Sequence, residues 1–470
     1  MASRAPYPGS IGDQLAKFRL IPRLETYPKV VTFAQTATGK IIILAAFTLG
    51  LRFFQPDLFS SLPLIFIFAL ITFMPEYRRL ALAVAPLSFV MLQSFLQPLF
   101  LGLYLAVIAL GILLYWCVMR WPKSLFGQRP VAFLLGGFSA LIILACAVAP
   151  HSMPNSILWN LVGLMAGYVW FIGYALMDRG SKPSTDLTLE LASFRPLWGS
   201  TSVPYPKGAA YLRRIEAQTP EQLAIVQLKG LKLLLWAILL AVFQVFWNQF
   251  FHDYLRIPLL NQALAMSVRG TPVAWQLRWE CQILAFFESI LTLSIFGHRI
   301  IACCRMAGYN ALRNTYRPLS ATTLIEFFNR FYYYFKELLV DFFFYPAFFR
   351  YWKNHRRVRV AFATVAAAFF GNAFYHFARD WQIIRDNGLW TAINSYQTFL
   401  FYCLVLATAL SLSQMRKRGP RPGGLVRGHI LPALGVWIFY CLLNIFVTNE
   451  RGYSLVEHLR YLASLFFIQF

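Results

Sequence analysis

The chain has 470 residues, 58% hydrophobic, 17% aromatic and only 13% charged. Soluble domains carry about a quarter charged residues, so the composition excludes an ordinary soluble domain and indicates an all-α polytopic membrane protein. The formal net charge of +24 would suit nucleic acid if it formed one basic face. Instead the cations cluster between apolar runs, at "YRR" (77–79), "RYWKNHRRVR" (350–359) and "RKRGPRPGGLVRG" (416–428). That pattern argues against a nucleic-acid partner and for membrane lipids, with the basic clusters against anionic headgroups.

In chain order, residues 1–40 form a mixed segment with dispersed cations and no cleavable signal, so the first apolar run is expected to direct insertion. Runs suited to membrane helices follow at 41–56, 60–75, 80–95, 97–118, 130–150 and 156–177, which make an N-terminal bundle over 41–177. A polar loop over 178–230, with one short amphipathic helix expected near 207–224, separates it from a C-terminal region, 231–470. There the runs are 231–250, 274–297, 360–379, 389–412, 429–448 and 454–470. Eleven or twelve transmembrane helices are expected, without the internal repeat of many transporters.

Placing the N-terminus inside assigns 32 of the 43 Lys and Arg to inner segments, the bias of a cytoplasmic face. Both flanks of 323–349 then belong inside, so this stretch is a re-entrant or interfacial helix. Seven cysteines are scattered with no metal-ligand spacing, and no metal is expected. Cys303 and Cys304 fall in a basic inner loop where lipidation or redox chemistry competes with plain packing.

The re-entrant stretch, "EFFNRFYYYFKELLVDFFFYP" (326–346), is dominated by Phe and Tyr yet carries several polar groups. On one helix Glu326, Arg330, Tyr334, Glu337 and Asp341 form a single stripe, with Asn329, Tyr332 and Lys336 beside it. The bland reading is an interfacial helix with its charges in water. The functional reading is an ion-paired face directed at a cavity.

A second constellation lies in "ATVAAAFFGNAFYHFARDWQ" (363–382). Asn372, His376 and Asp380 share a face, while Ala363, Ala367 and Gly371 put a small residue at every fourth position for close helix approach. A histidine near the end of an apolar span is a functional candidate. The alternative is an interfacial histidine satisfied by a carbonyl or by Asp380. Glu288, near the middle of its run, needs a partner or a water-filled cavity. His252 and the other end-of-helix histidines carry no special signal.

At these two stretches the chain resembles the membrane-bound O-acyltransferase (MBOAT) superfamily, in its bacterial alginate-O-acetylation and teichoic-acid-D-alanylation branch. "FFNRFY" (327–332) is similar to the start of the branch signature, and Asp341, Phe342 and Pro346 fall at its intervals. "FYHF" then supplies His376 where the family has an invariant histidine. The resemblance covers about 320–380 by motif. It departs at Tyr332, where the family has His, Asn or Asp, and at Phe377, which replaces a glycine.

The resemblance implies a membrane O-acyltransferase without a bound cofactor, with acyl-CoA or an acyl-carrier thioester as co-substrate. The acceptor is then a hydroxyl of a surface glycan, a lipid or a secreted small molecule, with a carrier-protein or periplasmic partner among the expected associates. His376 takes the hydroxyl proton, as an imidazole titrating near neutral pH can. Tyr332 is a poor base, with a reference pKa of about 10, but can donate to the developing oxyanion. Asn329, Arg330, Lys336, Glu337, Asp341, Asn372 and Asp380 line or support the site. The expected location is the bacterial cytoplasmic membrane. The alternatives are a lapsed relative that binds or moves an acylated partner, and a transporter.

Overall fold

The computed structural model describes residues 20–55, 58–94, 98–178, 187–194, 196, 198, 205–415, 424–447 and 452–468. Arg4, Lys17, Arg19 and most of the basic cluster at 416–428 lie outside the described residues. Within them the chain is helical throughout, with one isolated bridge between Glu216 and Tyr309 and no strand. The all-α polytopic membrane class therefore holds.

Eight helices among the described residues are long and apolar enough to cross a membrane, or nine if the pair Pro28–Gln35 and Ala37–Arg52, bent by 94°, counts as one span. Four of the expected runs are shorter than a full crossing. They are Ala37–Arg52, Leu58–Phe73, Arg78–Ser94 (broken in composition by Pro86) and Leu455–Ser464. The last has only 10 residues, about 15 Å of helix, and a capping box formed by Ser454 and Glu457 starts it.

Two long antiparallel helices, Pro220–Asn248 and Trp275–Met306, form the central hairpin. Thr219 caps the first by accepting from the Gln222 amide at 3.1 Å, and Pro220 stands at its first position. This start corrects the expected amphipathic helix at 207–224. A short helix covers only Ala209–Ile215, and the following residues already belong to the hairpin. Gln227 ties the hairpin inside the fold, its amide donating to Thr72 Oγ1 (2.9 Å) and Met306 O (3.1 Å). Cys303 and Cys304 are buried in the Trp275–Met306 helix rather than exposed in a loop, which removes the accessibility that lipidation requires.

Buried apolar residues form two large clusters. One joins the N-terminal helices to 300–311 and 334–342; the other joins 257–290 to the C-terminal helices. Phe328 packs against both, and Ala367 and Ala368 belong to one each. The two stretches singled out by sequence thus stand at the junction of the clusters. The loop between the halves is not a solvent-exposed spacer either: Tyr205, Ala209 and Leu212 are buried in the first cluster.

Close approach at the junction depends on glycine. A Cβ at Gly173, on the Met153–Asp178 helix, would sit 2.4 Å from the Phe342 ring. That ring has little room to yield, being buried against Trp170 and Tyr174 at centroid distances of 5.6 and 5.0 Å. Gly173→Ala is expected to destabilise the protein by about 1–3 kcal/mol through overpacking. Gly137→Ala, with no heavy atom within 4 Å of the added carbon, should not. Thermal unfolding of the two variants in detergent checks this.

Candidate active site

The aromatic stretch is not one helix. Thr323 caps Leu324–Phe331 by accepting from the Glu326 amide at 3.2 Å, and the helix stops at Tyr332, where φ is −140° and ψ 70°. A new helix runs over Tyr333–Leu339, a π turn over Val340–Phe344 and a last helix over Tyr345–Arg350. An interrupted helix frees backbone groups that need partners. Residues 314–316 supply them: Tyr333 N donates to Asn314 O (3.0 Å), Tyr334 N to Asn314 Oδ1 (3.2 Å), Tyr316 N to Arg330 O (2.8 Å) and Thr315 Oγ1 to Phe331 O (2.8 Å). The break is therefore held on both sides, and Tyr332 is presented from it.

This corrects the single polar stripe. Glu326 and Arg330 pair with each other at 2.6 Å, and Glu326 also accepts from the Thr322 amide at 2.9 Å, so they serve the first helix alone. Asn329 is exposed. Tyr334 is buried and donates to Leu312 O at 3.2 Å. Glu337 and Asp341 look the other way, to Lys207 of the inter-half loop, at 2.5 and 2.9 Å. Lys336 also reaches Glu337, and the Tyr174 hydroxyl donates to Asp341 Oδ2 at 3.0 Å.

Burial opposes the Lys207 ammonium, but the Asp341 and Glu337 carboxylates outweigh it and hold its pKa above the ordinary value. Burial likewise raises the Glu337 carboxyl, yet Lys207 and Lys336 overcome this and bring it below its ordinary value. The inter-half loop is thus riveted beneath the interrupted helix by ion pairs that sequence spacing had placed within one helix.

The second stretch departs from a regular α-helix as well. Arg356–Val365 passes through a π turn, Ala366–Gly371, into Asn372–Arg379. Its small residues admit the interrupted helix: a Cβ at Gly371 would lie 2.5 Å from the Phe343 ring. Asn372 is buried, and its Oδ1 has no hydrogen-bond partner among the described residues. The half-buried His376 ring is framed by Phe335, Tyr375 and Phe399, at centroid distances of 5.9, 5.2 and 4.3 Å.

Asp380 takes a two-pronged contact from Arg379 (2.8 and 3.0 Å) and the Tyr396 hydroxyl at 2.7 Å. The same hydroxyl lies 3.3 Å from the His376 carbonyl oxygen. Tyr332 meets His376 through a shared wall, since its ring stands 5.1 Å from that of Phe335. Tyr205 joins them from the inter-half loop. It is fully buried against Tyr334 at 5.2 Å, with its hydroxyl in the electrostatic neighbourhood of Tyr332. No periodicity in the loop pointed to Tyr205; only the folded chain brings it here.

Three cavities follow the Pro130–Ala147 helix, whose 18 residues span about 27 Å. At its start is a mainly apolar groove of about 920 Å³ with Arg129, Arg350, Lys353 and Asp341 among its lining groups. Leu135 and Phe343 are shared with the next cavity, a chamber of about 550 Å³. This open pocket is lined almost entirely by apolar side chains, including Ala373, Phe374 and Phe377 of the helix that carries His376, and by Tyr396; His376 itself does not line it. At the far end of the helix a cleft of about 990 Å³ carries His151, Asn155, Asn160, Arg385 and Asp386.

A separate polar contact explains Glu288. Its Oε1 lies 2.7 Å from His252 Nε2 and 3.2 Å from Trp247 Nε1, while His252 Nδ1 faces Ile257 O at 2.7 Å. Both imidazole nitrogens face acceptors, so His252 is placed to donate to Ile257 O on one side and to Glu288 on the other. His252, unremarked in the sequence, is the partner that Glu288 required. Among the described residues no group of three His, Cys, Asp or Glu is placed to hold a metal ion. No protein-family model matches the sequence, and no curated protein is significantly similar to it.

Proposed function

We propose that the protein is a membrane O-acyltransferase that moves an acyl group from a thioester donor to a hydroxyl acceptor, with His376 as general base. The observation that carries this reading is the order of cavities along one helix: a groove with three cations, an apolar pocket lined by the helix that carries His376, then a polar cleft. An acyl-CoA or acyl-carrier donor has phosphates suited to Arg129, Arg350 and Lys353 and a chain suited to the chamber. The basic end would then face the cytoplasm, as the distribution of Lys and Arg favours, in what we read as a bacterial cytoplasmic membrane.

In this mechanism the acceptor oxygen attacks the thioester carbonyl carbon as His376 takes its proton. Tyr332 donates to the carbonyl oxygen while it carries negative charge. The C–S bond then breaks, and the thiolate leaves with the proton returned from His376. Tyr396, Asp380 and Arg379 hold the helix end that carries the histidine; Glu326, Arg330, Lys336, Glu337 and Asp341 hold the interrupted helix. Phe377, which lines the chamber in place of a glycine, also favours a second reading as an acyl-binding protein without chemistry.

The test is the inventory of esters on surface glycans, lipids and secreted small molecules, by mass spectrometry, in cells lacking the protein and cells restored with wild type or Ala373→Phe. Loss of one ester on deletion and its return with wild type are expected. Ala373→Phe, which fills part of the chamber, should restore less of it or shorten the chain transferred. An unchanged inventory on deletion rejects the acyltransferase reading.

A further inference from the structure

We propose that the groove at the start of the Pro130–Ala147 helix is a binding site for an anionic diacyl phospholipid of the surrounding leaflet. The proposal goes beyond the acyltransferase reading and stands without it. Where both hold, lipid and donor phosphates compete for the same cations, so the lipid regulates access to the site.

In a bilayer the groove opens sideways to hydrocarbon. Pro130–Ala147 is a peripheral span, with only 22% of it buried within the protein. Val131 and Leu135 of this helix line the groove together with Phe343, Pro346 and Phe349 of the interrupted stretch. Phe349 is 62% exposed, so the lining continues onto the outer surface of the helices. The apolar part of this recess suits acyl chains rather than water, which needs several polar partners to stay in a cavity. The neighbouring pocket of about 550 Å³ shares Leu135 and Phe343 with it and gives room for a second chain.

The cations select the headgroup. Arg129 immediately precedes the span, Arg350 ends the Tyr345–Arg350 helix, and Lys353 follows it. All three are exposed, and among the described residues none has an ion-pair, hydrogen-bond or ring partner for its charged group. Arg359 nearby differs, since its guanidinium covers the Phe348 ring at 3.9 Å and donates to the Phe348 carbonyl. Asp341, the acid that lines the groove, is already taken by Lys207 at 2.9 Å and by the Tyr174 hydroxyl at 3.0 Å. Three free cations thus stand beside one compensated carboxylate. Guanidinium groups bind phosphate oxygens in pairs, and an ammonium adds a point charge. A zwitterionic headgroup brings its own cation and gains less.

The turn between these cations has the character of a membrane–water boundary. Tyr351 and Trp352 are 48% and 52% exposed, and both are residue types that settle at headgroup level. Trp352 is held there with φ at +53°, a conformation that a bulky side chain rarely adopts. Apolar lining, free cations and interfacial aromatics together match a ligand with acyl chains and an anionic phosphate.

The experiment reads lipid retention, by native mass spectrometry, on full-length protein released from nanodiscs of equal parts phosphatidylglycerol and phosphatidylcholine. Wild type is expected to retain phosphatidylglycerol in clear excess. The Arg350→Gln/Lys353→Gln double variant should lower that excess about tenfold, the scale of two cations beside an anionic headgroup. Ala132→Trp, at an exposed lining position, should lower retention by filling the apolar part while every cation stays in place. Arg427→Gln, which removes an exposed cation outside the groove, should retain lipid as wild type does. Inorganic phosphate, compared with chloride at equal ionic strength, should not displace the lipid. Equal retention of both lipids by wild type overturns the proposal, as does a double variant or Ala132→Trp indistinguishable from Arg427→Gln. Displacement by inorganic phosphate reduces the groove to a free-anion site and overturns it too. The two readings fail separately. Selective retention, with no ester that depends on the protein, leaves the lipid site and rejects the acyltransferase. An ester lost on deletion, with no selective retention, does the reverse.

Discussion

His376→Ala is expected to lower acyl transfer by about 10²–10⁴-fold, the usual contribution of a positioned general base, at unchanged abundance in the membrane. The ring is only half-buried and its neighbours Phe335 and Phe399 remain to fill the space, so the loss should be chemical rather than structural. His376→Gln, which keeps bulk and hydrogen bonding without a comparable base, should be equally inactive. Tyr332→Phe removes only a hydroxyl and should cost about 10²-fold, the scale of one oxyanion donor. Transfer to a defined acceptor by purified protein, with thermal unfolding alongside, separates these outcomes. Activity of His376→Ala near that of wild type would remove the mechanism.

Lys207→Met is expected to destabilise the fold by about 3 kcal/mol, because it leaves the Glu337 and Asp341 carboxylates half-buried beside each other. Lys336 compensates Glu337 only in part, since Asp341 keeps just the Tyr174 hydroxyl. Neutralising both acids in the same background, with Glu337→Gln and Asp341→Asn, should recover most of the loss. The pH dependence has two edges. The raised Lys207 contributes stability that is complete below its unfolded pKa, about 10.4, and disappears as pH rises through the higher folded value. The lowered Glu337 contributes stability present above 4.5 and lost as pH falls through its folded value. Unfolding midpoints of wild type should therefore drop at both extremes, and those of the triple variant much less.

These two expectations differ in how far the sequence anticipated them. His376 was visible as an ionisable group in an apolar run, flanked by small residues at helical spacing. Its surroundings were not, because Phe399 and Tyr396 come from another helix and Tyr205 from the inter-half loop. The lysine of the second prediction had no signal at all. Glu337 and Asp341 continue the helical spacing of Glu326, Arg330 and Tyr334, so an intrahelical network was the natural expectation. The break at Tyr332 separates Arg330 from them and turns Glu337 and Asp341 toward the loop.

Composition and the repeat of apolar runs determined by themselves that this is a helical membrane protein, because a bilayer demands long apolar segments whose backbone bonds are satisfied locally. The same local rule made the two polar stretches conspicuous. Only the tertiary structure decided what those polar groups face. Where the aromatic helix breaks, its orphaned amides are met by residues 314–316; the loop beneath it contributes Lys207 and Tyr205; and three cavities align along a single helix. Each depends on contacts between residues far apart in the chain, set by packing at the junction of two cores, which no local spacing encodes.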